Sequence, residues 1–580
     1  MKNLTYQIIL FLVFSFWVVS CDGFLDHTPS GAMSEEDMND PERIDGLVIA
    51  AYAAVGNSHF ETPIASTWLT GSVRSDDSYK GGGGTGDLEG YHQMETYQSN
   101  IDEVGHFDGM WYSYYQGISR TNSALSAILN LDEVEVPERD EIAAEMKFLR
   151  GHFHFNLKRH FKHIPFIDEE MDREDIENEY NRAKSDQELW SRIAEDFRFA
   201  KENLPPTQSD AGRPDMWAAA SYLAKTKLYQ AYEQDDRHQV VDIQQDLLEE
   251  VVDLTTEVIN SGEYELYDDI AQNFLREYDN GEESIFAIQQ SYDDGTDHGR
   301  VGMDFGLNYP MNPEYGCCWF NIPSQNMVNA FQTNEEGAPL FDEFNNYEFR
   351  TASDFEDTQV DPRLNHTVSI TGFPFKYDEE LVYDESGWSR TPATYGPFSS
   401  MRELMHPEDG SLQEVGPFYA SAKNIDIIRY SEVLLWRAEA LIELGRYAEA
   451  LDDINAIRER AANSTERLVY EDGEYYTEYN VEPYQDGVNI TWNQDNAREA
   501  LRWERRLEFA MEGKRFFDLV RWGIASDVIN EYLDTEATRW EFLGGAEFTE
   551  GRDEYYPIPR DQIEWSDGLY SQNPGYPGGD

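Results

Sequence analysis

Only three of the 580 residues are cysteine: Cys21, Cys317 and Cys318. That scarcity excludes a disulfide-scaffolded fold. The adjacent pair Cys317-Cys318 is expected as two buried or half-buried thiols, with a vicinal bridge or a metal site as the alternatives. Positive charge is also short. There are 45 Lys+Arg against 113 Asp+Glu, a net charge of −68, and lysine is scarcer than arginine. So anionic a surface repels phosphate backbones and anionic lipid, which argues against a nucleic-acid partner and against electrostatic docking on a membrane. Long apolar runs are missing as well. The longest, Ile8 to Val19, falls short of the roughly 20 residues that a membrane-crossing helix needs.

That run instead has the length of the apolar core of a secretory signal peptide. It follows Lys2 and ends at Val18-Val19-Ser20-Cys21, which resembles the lipobox of bacterial lipoproteins. The expectation is a signal over residues 1–20 and a mature chain that begins at an acylated Cys21; an ordinary signal peptide with a chance cysteine is the alternative. The mature chain is not a disordered acid. Hydrophobic residues are 40% and aromatics 14%, enough to bury large cores.

Periodicity predicts helices through the first half. Trp111, Tyr115, Ile118, Leu125 and Leu129 recur at threes and fours, as do Ile142, Met146, Leu149, Phe153, Leu157 and Phe161. Leu189 to Asn203 is amphipathic and stops at Leu204-Pro205-Pro206. Met216 to Gln234 and Asp246 to Asn260 form a further pair. From Tyr267 to Ile425 the periodicity dissolves into Gly, Pro, Asn and Asp with scattered aromatics. Helices return at Ser431, where Ala438, Gly445, Tyr447, Ala450 and Ile454 resemble a tetratricopeptide unit. A last helix is predicted from about Asp495 to Arg521. The parts are a helical portion over 21–266, a loop-rich insert over 267–425, and a second helical portion with an extended tail over 426–580. The fold class is mostly α, a tetratricopeptide-like helix-pair scaffold interrupted by a large loop-rich insert.

Nine blocks carry a resemblance. They include "AAEMKFLRGHFHFNLKRHFKHIPF" (143–166), "RPDMWAAASYLAKTKLY" (213–229), "IPSQNMVNAFQT" (322–333), "DPRL" (361–364), "ERRLEFAMEGKRFFDLVRWG" (504–523) and "QNPGY" (572–576). In this order, together with "IIRYSEVLLWRAEAL", "INAIRERA" and "YYPIPRDQI", they resemble the SusD/RagB family of outer-membrane nutrient-binding lipoproteins. The resemblance implies a lipid-anchored protein on the outer face of the outer membrane. It would bind an oligosaccharide, or a peptide in some branches, and close as a lid over a SusC-like TonB-dependent transporter. It also implies an α-α superhelix with four tetratricopeptide-like pairs, no cofactor and no catalysis.

Sugar rings present apolar C–H faces, so a glycan site needs exposed aromatics with polar neighbours. The resemblance places such contacts on two loop zones without naming positions. The first, Trp68 to Trp111, holds Asp76, Asp77 and Tyr97 around a flexible "GGGG"; the second holds Tyr292, Tyr309, Tyr315 and Trp319. These seven residues are the ligand-binding candidates, and burial in the loop core is the competing reading for each aromatic. Trp111 is expected in the core. Glu504, Glu508 and Glu512 share one helix face and are expected to hold the last helix to the scaffold. Enzyme signals are weak. "GGGGTG" satisfies G-x-G-x-x-G without a βαβ setting. His152, His154, His160 and His163 have no companion metal motif, and no G-x-S-x-G occurs. An exported glycoside hydrolase and a purely structural adaptor remain the other function classes.

Overall fold

The computed structural model describes residues 43–579 apart from 57, 58, 61 and 132–135; the leader and Cys21 lie outside the described residues. No described helix is long and apolar enough to cross a membrane. Eight long helices form the scaffold: α1 (Ile44–Val55), α2 (Gly105–Leu129), α3 (Arg139–Phe161), α4 (Asp186–Asn203), α5 (Met216–Ala231), α6 (Gln245–Ser261), α7 (Tyr430–Glu443) and α8 (Tyr447–Asn463). Each packs on the next in chain order, so α6 meets α7 directly although the insert separates them in sequence.

Local chemistry starts and stops these helices. The Ser185 hydroxyl accepts from Glu188 N at α4, and the Asp215 carboxylate accepts from Trp217 N and Ala218 N at α5, satisfying amide groups that have no partner inside the helix. Leu204, before Pro205, is extended and ends α4. Between α2 and α3, Gly117 faces the Phe153 ring so closely that a Cβ would sit 2.5 Å from it. Trp111 is 3% exposed, a core residue as expected.

The insert is closed at its ends by one strand pair. β2 (Ser284–Ile288) runs antiparallel to β4 (Ile425–Arg429), which closes a long irregular segment near its ends at an entropic cost that grows only slowly with length. Inside it the regular elements are short. A second pair ties the insert to the N-terminal zone: β1 (Ser78–Gly81) runs antiparallel to β3 (Phe320–Pro323), with Tyr79 opposite Ile322 and Gly81 opposite Phe320.

The predicted last helix is two helices, α9 (Gln494–Glu508) and α10 (Arg515–Arg521). The break has a tertiary cause. Gly513 adopts φ +71° and lies against Gly71, whose Cβ would fall 1.9 Å from the Gly513 oxygen. Only two glycines allow backbones to meet this closely.

Glu504, Glu508 and Glu512 do hold this block, through a shared set of arginines. Glu504 pairs with Arg363 of the "DPRL" block at 2.9 Å. Glu508 meets Arg460 of α8 at 2.5 Å and Arg429 of β4 at 3.0 Å. Glu512 meets Arg402 at 2.7 Å and Arg429 at 2.8 Å. Scaffold, insert and C-terminal block thus converge on one buried network. The tail is pinned too: the buried Asn573 amide donates to the carbonyl of Phe161, the last residue of α3, at 3.0 Å, satisfying a helix-end acceptor.

Candidate functional site

The β1–β3 pair brings the two predicted loop zones together. Gly82 N donates to Trp319 O at 2.6 Å, and Trp68, Tyr91 and Phe320 pack edge to face beneath the joint. The glycine loop is held rather than loose. Gly83 N donates to Asp87 Oδ2 at 2.8 Å, Arg390 pairs with that same oxygen at 2.6 Å, and Thr391 Oγ1 donates to Gly82 O at 2.7 Å. Its glycines are needed because Gly81, Gly82 and Gly84 all have positive φ.

Of the seven candidate residues, six are buried. The Trp319 ring is fully covered and its Nε1 donates to Phe398 O at 3.1 Å and Ser399 Oγ at 2.8 Å. Tyr309 and Tyr315 are the centre of a satellite core with Phe375, Tyr383 and Trp388, and Tyr315 Oη donates to Met405 O at 2.6 Å. Tyr97 is buried against the Arg74 guanidinium, 4.5 Å from its ring centroid, and donates to Arg74 O. None of these four rings offers a face to a ligand. They support the loop from below, because a loop this long needs its own apolar core. Trp319→Ala is therefore expected to destabilise the fold by about 3–5 kcal/mol, read as a lower urea midpoint; an unchanged midpoint would contradict the core assignment.

Asp76 and Asp77 are also core. Asp76 is clasped by Arg515 at 2.9 Å and Arg506 at 3.0 Å. Burial opposes its ionisation, but Arg506 and Arg515 outweigh it and hold the carboxyl at about 2. Asp77 lies 3.7 Å from Arg506; burial, then the neighbouring Asp76 charge, pushes its carboxyl up to about 7. The pair docks β1 onto the C-terminal block. Tyr292 alone is exposed, its ring 5.1 Å from the Arg276 guanidinium carbon.

The wet groups over the joint come from residues that periodicity does not single out. Tyr419 is half-buried, its ring 6.2 Å from Tyr315 and 6.4 Å from Tyr309. Met311 is exposed, and its N–H donates to Trp388 O at 2.8 Å. Trp388 leads through Ser389 to Arg390 and its partner Asp87. Tyr419, Met311 and the Arg390–Asp87 pair, linked through the satellite core, combine ring faces with charged hydrogen-bonding groups. Cys317 and Cys318 form a vicinal disulfide here rather than two thiols, with Cys317 half-buried.

The histidines are dispersed, each with its own partner. His152 Nδ1 lies 2.8 Å from Tyr222 Oη, His154 stacks on Phe166, His160 Nε2 lies 3.1 Å from Thr70 Oγ1, and His163 Nε2 lies 3.1 Å from Arg182. Among the described residues no cluster of His, Cys, Asp or Glu could hold a metal ion.

The architecture is a mostly-α, tetratricopeptide-like helical scaffold that carries a loop-rich face. The chain belongs to the SusD family, whose model matches residues 282–576. A second model, described as starch-binding associating with outer membrane, matches residues 23–228. The chain is 24% identical to SusD-like protein P2 of Formosa agariphila, over 98% of this chain and 99% of that one. Its fold is similar to a SusD homolog of Bacteroides thetaiotaomicron, with TM-score 0.69 and 19% identity over 94% of this chain and 99% of that one. It is also similar to surface glycan-binding protein A of the same species in complex with laminarihexaose, with TM-score 0.65 and 18% identity over 92% and 99%.

Proposed function

We propose that this protein captures an oligosaccharide on the outer face of the outer membrane and passes it to a SusC-like TonB-dependent transporter that it covers as a lid. In this reading Cys21 carries the lipid anchor and the protein binds without catalysing. The observation that supports it most is the loop-rich face joined by the β1–β3 pair, which carries the half-buried Tyr419 ring, the exposed Met311 and the Arg390–Asp87 pair. Ring faces stack on sugar C–H surfaces while the charged pair fixes hydroxyls. Family membership and the glycan-binding relatives point the same way. Tyr292, on its own turn, is a further contact in this proposal.

Calorimetry over a glycan panel tests it. A bound glycan is expected, and Tyr419→Ala should weaken it about 5–10-fold, the value of one aromatic contact, without changing the circular-dichroism spectrum. Binding of peptides with no glycan bound would move the assignment to peptide uptake. Product released from a polysaccharide by the purified protein would make it an enzyme.

A further inference from the structure

A cavity of about 110 Å³ lies between scaffold and insert, with Trp68, the ring beneath the β1–β3 joint, in its wall. It has room for several waters or for one small oxyanion. One wall carries Asn156 and Arg159 of α3 with Tyr222 and Lys225 of α5. Six cations line it, Arg159, Lys225, Arg402, Lys423, Arg429 and Lys514, against three carboxylates, Glu403, Asp426 and Glu512. That is a locally positive chamber in a chain of net charge −68.

Four of the six cations are accounted for. Arg402 and Arg429 meet Glu512, Lys514 meets Glu432 at 3.2 Å, and Lys423 meets Asp279 at 2.6 Å. The Arg159 and Lys225 side chains make no hydrogen bond or ion pair among the described residues; both reach over the Phe155 ring, at 5.9 and 5.5 Å from its centroid. Lys225 is 5% exposed. The other buried lysines, Lys80, Lys158, Lys162, Lys227 and Lys376, each find an oxygen. The carboxylate facing Lys225 is Glu432, already shared with Lys514. Burying a cation without its counter-charge is unfavourable, and burial pushes the Lys225 ammonium well below the usual lysine range. A bound anion would restore its charge.

We propose that this cavity binds a small oxyanion, sulfate or carboxylate, between Lys225 and Arg159. The anion is either a free ion or the acidic group of a sugar. Crystals of the mature chain soaked in selenate, a heavy analogue of sulfate, are expected to show an anomalous peak beside Lys225. Water alone in the cavity would overturn the proposal. Calorimetry at constant ionic strength with sulfate, acetate and glucuronate distinguishes the sources: tighter binding of glucuronate assigns the site to a sugar acid, and sulfate or acetate binding alone assigns it to a free ion. No heat with any of the three would overturn it. Lys225→Met and Arg159→Met, each checked for folding by circular dichroism, should weaken binding at least tenfold, and unchanged affinity in both would overturn the assignment. Glycan binding at the loop face is measured separately, so neither result decides the other.

Discussion

Glu508→Gln is expected to destabilise the protein by about 3–5 kcal/mol, the cost of breaking a buried ion pair on one side. The substitution keeps shape and removes charge. It leaves Arg460, Arg429 and Arg363 facing a neutral amide at the point where α8, the insert and the C-terminal block converge. Burial opposes ionisation of Glu508, but Arg460, Arg429, Arg363 and Arg402 prevail and hold its carboxyl at about 2. Its folded value is below its unfolded one, so its stabilising contribution is complete above about pH 4.3 and is lost as pH falls toward 2. Glu449→Gln is the control: Glu449 also pairs with an arginine, Arg446, but both are exposed, and no measurable change is expected. Urea midpoints of the two variants check this. Equal midpoints would show that the network does not carry the fold.

Mild acid is expected to destabilise the protein between pH 6.5 and 5. Six histidines, His152, His154, His160, His163, His238 and His366, are held neutral chiefly by burial, with values below the usual imidazole range. His152 falls to about 3, and His163 and His238 to about 2. In this window the unfolded chain binds more protons at these sites, so their contribution is present above about pH 6.5 and is lost as pH falls. Asp77 and Glu554 oppose it. Burial raises both carboxyls to about 7, so the folded state takes up protons there and gains stability on acidification. Smaller rises at other buried carboxyls, Glu403 and Glu536 among them, act in the same direction, but each unmatched proton is worth about 1.4 kcal/mol per pH unit and the six histidines outnumber the two carboxyls raised as far as about 7. The urea midpoint at pH 5 should lie well below that at pH 7. An equal or higher midpoint at pH 5 would show that the histidines are protonated in the folded state.

The scaffold was legible in the sequence because helices announce themselves locally. The stripe through Met146, Leu149, Phe153 and Leu157 reports its own burial by period, and so do the Pro205 stop and the tetratricopeptide spacing around Gly445. The structural role of Glu504 and Glu508 was also legible, since a four-residue spacing puts them on one face of α9, whereas Glu512 lies past the end of that helix and joins the network through Arg402 and Arg429. The candidate site was legible only as two zones. A loop has no period, so the sequence cannot separate Trp319, fully covered, from Tyr419, partly wet. Asp76 and Asp77 look like any of the 113 acids until Arg506 and Arg515 arrive from more than 400 positions away.

By itself, then, the sequence determined the acidic surface, the helical repeats, the loop-rich interruption and the family. Each of these rests on composition or on neighbours within a few residues. Tertiary structure alone decided which rings face water, that one predicted helix breaks at Gly513, that Cys317 and Cys318 are bridged, and that Lys225 is buried with no acceptor among the described residues. These depend on contacts between distant segments, set by how scaffold and insert pack against each other.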